Sequence, residues 1–211
     1  MAYLKNLKVR NKIIIIFTGI IALFTIGLFY ILSQISAIGT HVESMYKVNL
    51  LSVDYLIEAD RDAYQSSIAI SQWINYRFTG ANADESVDAI KTNLQQVKER
   101  FDKAEKLWES TGVSKTSDFA AFGENFRELE KDTKNIIAGL SAQNYDAALD
   151  LYRGVYDSHF SAVRTAMDNL TGVFLAGAES KFGESVSTSK QIFYVSLLIV
   201  VIILLFSVVS G

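Results

Sequence analysis

The stretch VDAIKTNLQQVKERFDKAEKL, residues 87–107, decides the fold. Val87, Ile90, Leu94, Val97, Phe101, Ala104 and Leu107 step by three and four, and nearly every position between them is polar or charged. Residues so spaced share one side of an α-helix, so this segment has a single apolar seam that must be buried against other helices. The pattern recurs downstream at Phe119, Phe122, Phe126, Leu129, Thr133, Ile136 and Leu140. Before it, Ile35, Ile38, Val42, Met45, Asn49, Leu56, Ala63, Ile70 and Ile74 mark the inner side of a first helix ending near Thr79. After it, Leu149, Tyr152, Tyr156, Phe160, Val163, Met167, Leu170 and Phe174 do the same for a fourth, starting near Tyr145. The breaks carry turn chemistry: Gly80 to Asp84, Ser110 to Ser117 around Gly112, and Ser141 to Asn144. The chain has no proline, which suits long helices, because proline removes a backbone donor and breaks helix interiors.

The two ends read differently. Ile13 to Leu32 is a run of 20 residues without a charge, about 30 Å of helix, which matches a bilayer core. Ile192 to Val209 is a second uncharged run, of 18 residues. Tyr30 and Tyr194 stand near the ends facing the middle of the chain, at the level where amphipathic rings favour headgroups. A cleaved signal peptide is disfavoured, because the first run exceeds the roughly 7–15 residues of a signal core and lacks a clean small-x-small cleavage site. Gly19 and Gly27, and the Thr18/Ala22 pair, are small residues that would let helices approach within this span. The expected division is therefore a basic cytoplasmic N-terminus, 1–12, a first span, 13–32, an extracytoplasmic domain, 33–190, and a second span, 192–209. The expected fold class is all-α: an antiparallel up-down-up-down four-helix bundle whose helices one and four are continuous with two transmembrane helices.

Charge supports this order. Lys5, Lys8, Arg10 and Lys12 precede the first span without an acid, whereas every Asp and Glu lies between Glu43 and Glu184. The positive-inside bias then places the N-terminus in the cytoplasm and the middle segment outside. Removing those four charges from 20 leaves 16 basic against 23 acidic residues, a net of −7, which argues against nucleic acid as a partner. The first helix should project about 70 Å beyond the membrane, and the second only about 42 Å back. Near the membrane each chain thus offers two helices, and a homodimer is expected to complete a four-helix cross-section there.

This arrangement, with the run Glu58-Ala59-Asp60-Arg61-Asp62-Ala63-Tyr64-Gln65 in the first helix, resembles bacterial methyl-accepting chemotaxis receptors with a four-helix-bundle sensor domain. The run is similar to the D-R-D-x-Y-Q stretch of many such sensors. The resemblance implies a homodimeric, two-pass receptor of the bacterial cytoplasmic membrane. Its signal would pass down helix four and the second span to a HAMP relay, a methylatable coiled coil and kinase control. The chain stops at Ser210-Gly211, before any such module, and a truncated longer receptor is expected. The same sensor type also serves histidine kinases and diguanylate cyclases.

Around its middle the first helix turns small and polar, with Ala59, Asp60, Ala63, Ser66 and Ser67. Asp60 and Tyr64, like Arg61 and Gln65, are four apart and form two adjacent rows. With helices one and four antiparallel, facing residue numbers should sum to about 223, which brings Arg153 and Tyr156 near Arg61 to Ile70. A guanidinium beside tyrosine and glutamine suits a carboxylate-bearing solute. The candidate ligand-binding residues are Asp60, Arg61, Tyr64, Gln65, Arg77, Arg153 and Tyr156. The competing expectation is that Asp60, Arg61 and Arg164 form ion pairs that fix register. His159, Trp73 and Trp108 read as packing or rim residues, and the charges from Lys98 to Glu109 as a solvated face. A periplasmic binding protein, or a mechanical stimulus with no small-molecule pocket, is the alternative input.

Catalysis finds no motif. His41 and His159 lie far apart, cysteine is absent, and neither a nucleophile elbow nor a phosphate-binding glycine loop occurs. The acidic residues lack calcium-loop spacing. No enzyme activity, cofactor or metal is expected.

Overall fold

The computed structural model describes residues 8–76 and 83–210. Among these the chain is helical apart from short turns. The first helix, α1, comprises Val9–Ser44, a π-helical turn Met45–Leu50, and Leu51–Tyr76. The second, α2, is Ala83–Glu109, and the third, α3, is Ser117–Ser141. The fourth, α4, comprises Tyr145–Leu151, a π-helical turn Tyr152–Tyr156, and Asp157–Ser210. The chain divides into two compact units, one of residues up to Met45 and from Glu179 onward, the other Tyr46–Ala178.

The Tyr46–Ala178 unit is the four-helix bundle, and the expected seams form its core. In α2, Ile90, Leu94, Val97, Phe101 and Ala104 are buried, with Val87 and Leu107 half-buried at its ends. All seven seam residues of α3 are buried. In α4, Tyr156, Phe160, Val163, Met167, Leu170 and Phe174 are buried. Phe101 stacks on Phe122 with ring centroids 3.4 Å apart, and Phe122 on Phe126 at 5.3 Å. A stack at ordinary separation, such as Phe122 on Phe126, adds about 0.5–1.5 kcal/mol beyond burial. Trp73 is buried, and Trp108 packs on Phe119 and Phe174 while its indole nitrogen donates to the Ser114 carbonyl at 3.3 Å.

Turn positions follow the local chemistry. Gly112, between α2 and α3, has φ +71°, which glycine adopts without a Cβ clash. Gln143 takes the same role between α3 and α4 with φ 59°. The break expected from Gly80 onward lies largely outside the described residues. Along α1, Leu56, Ala63, Ile70 and Ile74 are buried as the spacing predicts. Ile35 and Val42 are exposed instead. The expected seam assumed one α-helical period throughout, whereas the π turn at Met45–Leu50 holds an extra residue and slips the phase.

The π turn of α4 has a legible cause. Ala148, Tyr152, Tyr156 and Phe160 are each four apart, and in a regular α-helix every such step drifts about 40° around the axis. A wider turn at Tyr152–Tyr156 absorbs the drift. Tyr152, Tyr156 and Phe160 then stack as a ladder, at 5.2 and 5.9 Å. Gly177 of α4 is used for close approach to Asn49 of α1: a Cβ there would lie 2.8 Å from the Asn49 side-chain oxygen.

In the other unit, two helices are long and apolar enough to cross a membrane. Their side chains point largely outward, Phe17, Phe24, Phe29, Phe193 and Leu198 among them, so their apolar faces are left for a surrounding medium. Gly27 is the buried residue of Val9–Ser44. A Cβ at Gly27 would collide with Ile199 of α4, whereas one at Gly19 would meet nothing. Of the small residues in this run, Gly27 is therefore the one that sets a close crossing within the chain. About 20 Å further along α1, His41 contacts Glu184 at 2.7 Å, and Lys181, bonded to the same carboxylate, holds Glu184 below its ordinary range.

Candidate functional site

The bundle core is largely apolar and turns small and polar along the middle of α1, where Ser52, Ala59, Asp62, Ala63, Ser66 and Ser67 are buried. Small side chains here let α1 lie close to its neighbours. Ser66 donates to the Ile90 carbonyl of α2 at 3.3 Å, and the Ser67 hydroxyl shares a 3.0 Å hydrogen bond with Tyr152 of α4. Polar groups are thus paired at two helix–helix contacts.

The structure separates the candidate residues into three settings. Asp60 faces α4, where Arg164 grips it with Nε to Oδ1 at 2.6 Å and Nη2 to Oδ2 at 3.3 Å. That carboxylate raises the Arg164 guanidinium above its ordinary value. The same guanidinium lies over the Tyr64 ring, 4.1 Å from its centroid, and Tyr64 meets Phe160 edge-on at 5.5 Å. The expected antiparallel register holds, since Asp60–Arg164 and Tyr64–Phe160 both sum to 224. Asp60 and Tyr64 are brought together, and the ion pair weighed as a register device is formed by Asp60 and Arg164.

Arg61, Tyr64 and Gln65 stand on the exposed side of α1. Arg61 is 54% exposed, with Glu58 and Asp62 only at 3.7 and 3.5 Å. Leu50, Ile57 and Ile68 are exposed on this same side, within an arc of about 100°. Arg153 is exposed in the π turn of α4. Tyr156 is different: it is 1% exposed and belongs to the core. Its hydroxyl is buried without a well-formed hydrogen bond. Burial pushes the phenol well above its ordinary value, a rise that the nearby Ser67 hydroxyl only partly offsets. Arg77 lies outside the described residues.

Three polar contacts escaped the sequence reading. Arg100 is not part of a solvated face: its side chain turns to α1, with Nη1 2.6 Å from Glu58 and Nε 3.1 Å from Asp62. Asp62 is buried, and loss of water raises its carboxyl above the ordinary range against the pull of Arg100 and Arg61. The available signal was that Arg100 adjoins the seam residue Phe101, at the edge of the buried face. His159 contacts the buried Asp132 of α3, Nδ1 to Oδ2 at 2.7 Å, which makes it a packing residue of the α3–α4 contact.

Among the described residues no group of three His, Cys, Asp or Glu side chains is placed to hold a metal ion. No curated protein and no solved structure matches the chain. A family model described as a four-helix-bundle sensory module for signal transduction matches residues 6–188. With its seams packed as an antiparallel bundle between two apolar helical ends, the chain belongs to the four-helix-bundle sensory modules of methyl-accepting chemotaxis proteins.

Proposed function

We propose that the chain is the sensing part of a two-pass chemoreceptor, with no catalysis of its own. Residues 1–12 lie in the cytoplasm, 13–32 and 192–209 cross the membrane, and 33–190 meet the stimulus outside it. The stimulus is a small solute, and a carboxylate-bearing one suits Arg61, Tyr64 and Gln65, with Arg153 nearby on α4. Asp60 and Tyr156 lie beneath that surface rather than touch solute: Asp60 fixes Arg164 under the Tyr64 ring, and Tyr156 packs in the core. Two copies pair through the exposed side of α1, so that solute binds where copies meet.

The observation that carries this reading is the segment Asp157–Ser210 of α4, a single helix of 54 residues. It contains core residues from Phe160 to Phe174 and also the uncharged run from Ile192. A solute that binds two arrangements of α4 with different affinity shifts their balance, and only that difference moves it. A small slide or rotation of α4 is then available to a cytoplasmic relay and kinase control. The second run has no Asp, Glu, Lys, Arg or His to resist such movement.

Orientation is the part of the proposal that can fail outright. The chain has no cysteine, so a single introduced thiol reports its own surroundings. Lys98→Cys is expected to react with a membrane-impermeant maleimide in intact cells, and Lys5→Cys only after permeabilisation. The opposite pattern would remove the receptor reading.

A further inference from the structure

The chain has two histidines, and each stands where α4 meets a neighbouring helix. His41 of α1 reaches Glu184 of α4, Nδ1 to Oε2 at 2.7 Å. His159 of α4 reaches Asp132 of α3, Nδ1 to Oδ2 at 2.7 Å. In both pairs a ring nitrogen faces a carboxylate oxygen, which accepts a hydrogen bond and cannot donate one. Asp132 is buried, and the His41 Nδ1 is out of solvent without a well-formed hydrogen bond. A neutral ring suits such an oxygen only in the tautomer with its hydrogen on Nδ1, whereas the imidazolium donates from both nitrogens. The charged contact is roughly twice as strong as a neutral one.

The surroundings leave this charge to the two pairs. Facing His41 from α4 are Glu184 and Lys181, and Lys181 bonds the same carboxylate. One turn away along α1 stand Ala37, Ile38, Ser44 and Met45, none of them charged. Facing His159 from α3 is Asp132, with Glu128 close enough to interact and Lys131 bonded to Glu128. One turn away along α4 stand Val155, Tyr156, Ala162 and Val163. On the α1 side of α4, Asp60 and Tyr64 are engaged by Arg164, a guanidinium that keeps its charge at any physiological pH. Ser67 and Tyr152 join the same two helices through hydroxyls. Imidazole, by contrast, is the side chain that ordinarily changes charge between about pH 5 and 8.

We propose that the proton is a second input to this sensor: acid charges His41 and His159, and the charged rings fasten α4 to α1 and to α3. Both contacts act on the helix that solute is proposed to move, and Glu184 precedes the uncharged run from Ile192 by eight residues. The contacts are firm in acid and loosen as the rings lose their protons. No solute carboxylate takes part, and Arg61 is not involved. That the acid lies outside the cell rests on the orientation proposed above; the contacts themselves do not.

The test compares the full chain in detergent at about pH 5.5 and about pH 7.5, either side of the imidazole range. In melting followed by circular dichroism, wild type should exceed His41→Gln with His159→Gln by a margin at least about 2 °C larger at the lower pH. Asp62 is the same in both chains, so its own response to pH cancels. A nitroxide on Ser187→Cys, an exposed position one turn from Glu184, should lose mobility in acid, and should not do so in the double variant. Glu184→Gln with Asp132→Asn keeps both rings and removes their partners, and it should abolish the same two responses; this second pair serves where the first does not fold. An equal margin at both pH values overturns the proposal. So does a nitroxide that responds to acid in the variants as it does in wild type. Detergent gives both sides of the chain one pH, so reversed maleimide labelling would change the side from which protons arrive and leave this result standing.

Discussion

Asp60 and Asp62 are two residues apart, about 200° around a helix, and their environments are correspondingly opposed. Asp60 is tied to Arg164 at the flank of the bundle, whereas Asp62 is buried beside Arg100. Burial raises the Asp62 carboxyl, so the folded state holds this proton more tightly than the unfolded chain. The stabilisation is fully present below the unfolded value, about 3.9, and is lost as pH rises through the raised folded one. Melting followed by circular dichroism should therefore show wild type at its greatest advantage over Asp62→Asn below about pH 4, shrinking as pH rises. A pH-independent difference would show that Asp62 is not so buried. That an acidic–basic–acidic cluster marked this part of α1 was legible; which carboxylate pointed inward was not. The local seam is made of Ala59, Ala63, Ser66 and Ser67, and small residues do not announce a buried face as Leu or Ile do.

Where helices touch, the seams of α2 and α3 were the most legible part of the molecule, because their apolar and charged positions alternate without ambiguity. The two π turns were not read in advance. In α4 the signal was present, since four-residue steps from Ala148 to Phe160 cannot stay on one face of a regular helix. In α1 nothing comparable marked Met45–Leu50, and Ile35 and Val42 were placed inside as a result. At the α1–α4 contact, Gly177 leaves room for the Asn49 side chain. Gly177→Val is expected to destabilise the bundle by about 1–3 kcal/mol through overpacking. Adding Asn49→Ala should recover most of that loss in denaturant titrations, because the two sites share one contact. Additive effects would mean that the contact is not the cause.

For the whole molecule, the exposed Leu50, Ile57, Tyr64 and Ile68 on one side of α1 are too regular to be scattered surface apolars. The first three recur every seven residues, the period of a helix seam that meets a partner. A second copy applied there would also enclose Arg61 and Gln65. Ile57→Cys in membranes is thus expected to form a disulfide-linked dimer on mild oxidation, while Lys98→Cys on α2 stays monomeric. A dimer formed through Lys98→Cys alone would place the interface elsewhere. Architecture and the two apolar ends were legible because they rest on many residues at once. The arrangement of the candidate residues was only partly so, because it depends on side-chain direction at Tyr156 and Arg153, which the π turn between Tyr152 and Tyr156 alters. That turn also governs how the bundle tolerates insertions and deletions. Elsewhere in the core, loss of one amino acid would rotate every later side chain by about 100° and turn the packed face outward. At 152–156 a spare position is already accommodated, with Gly154 exposed and open space around its α-carbon. A deletion there would draw the wide coil back to ordinary pitch, exchanging the aromatic ladder for a regular helix without breaking the chain's path.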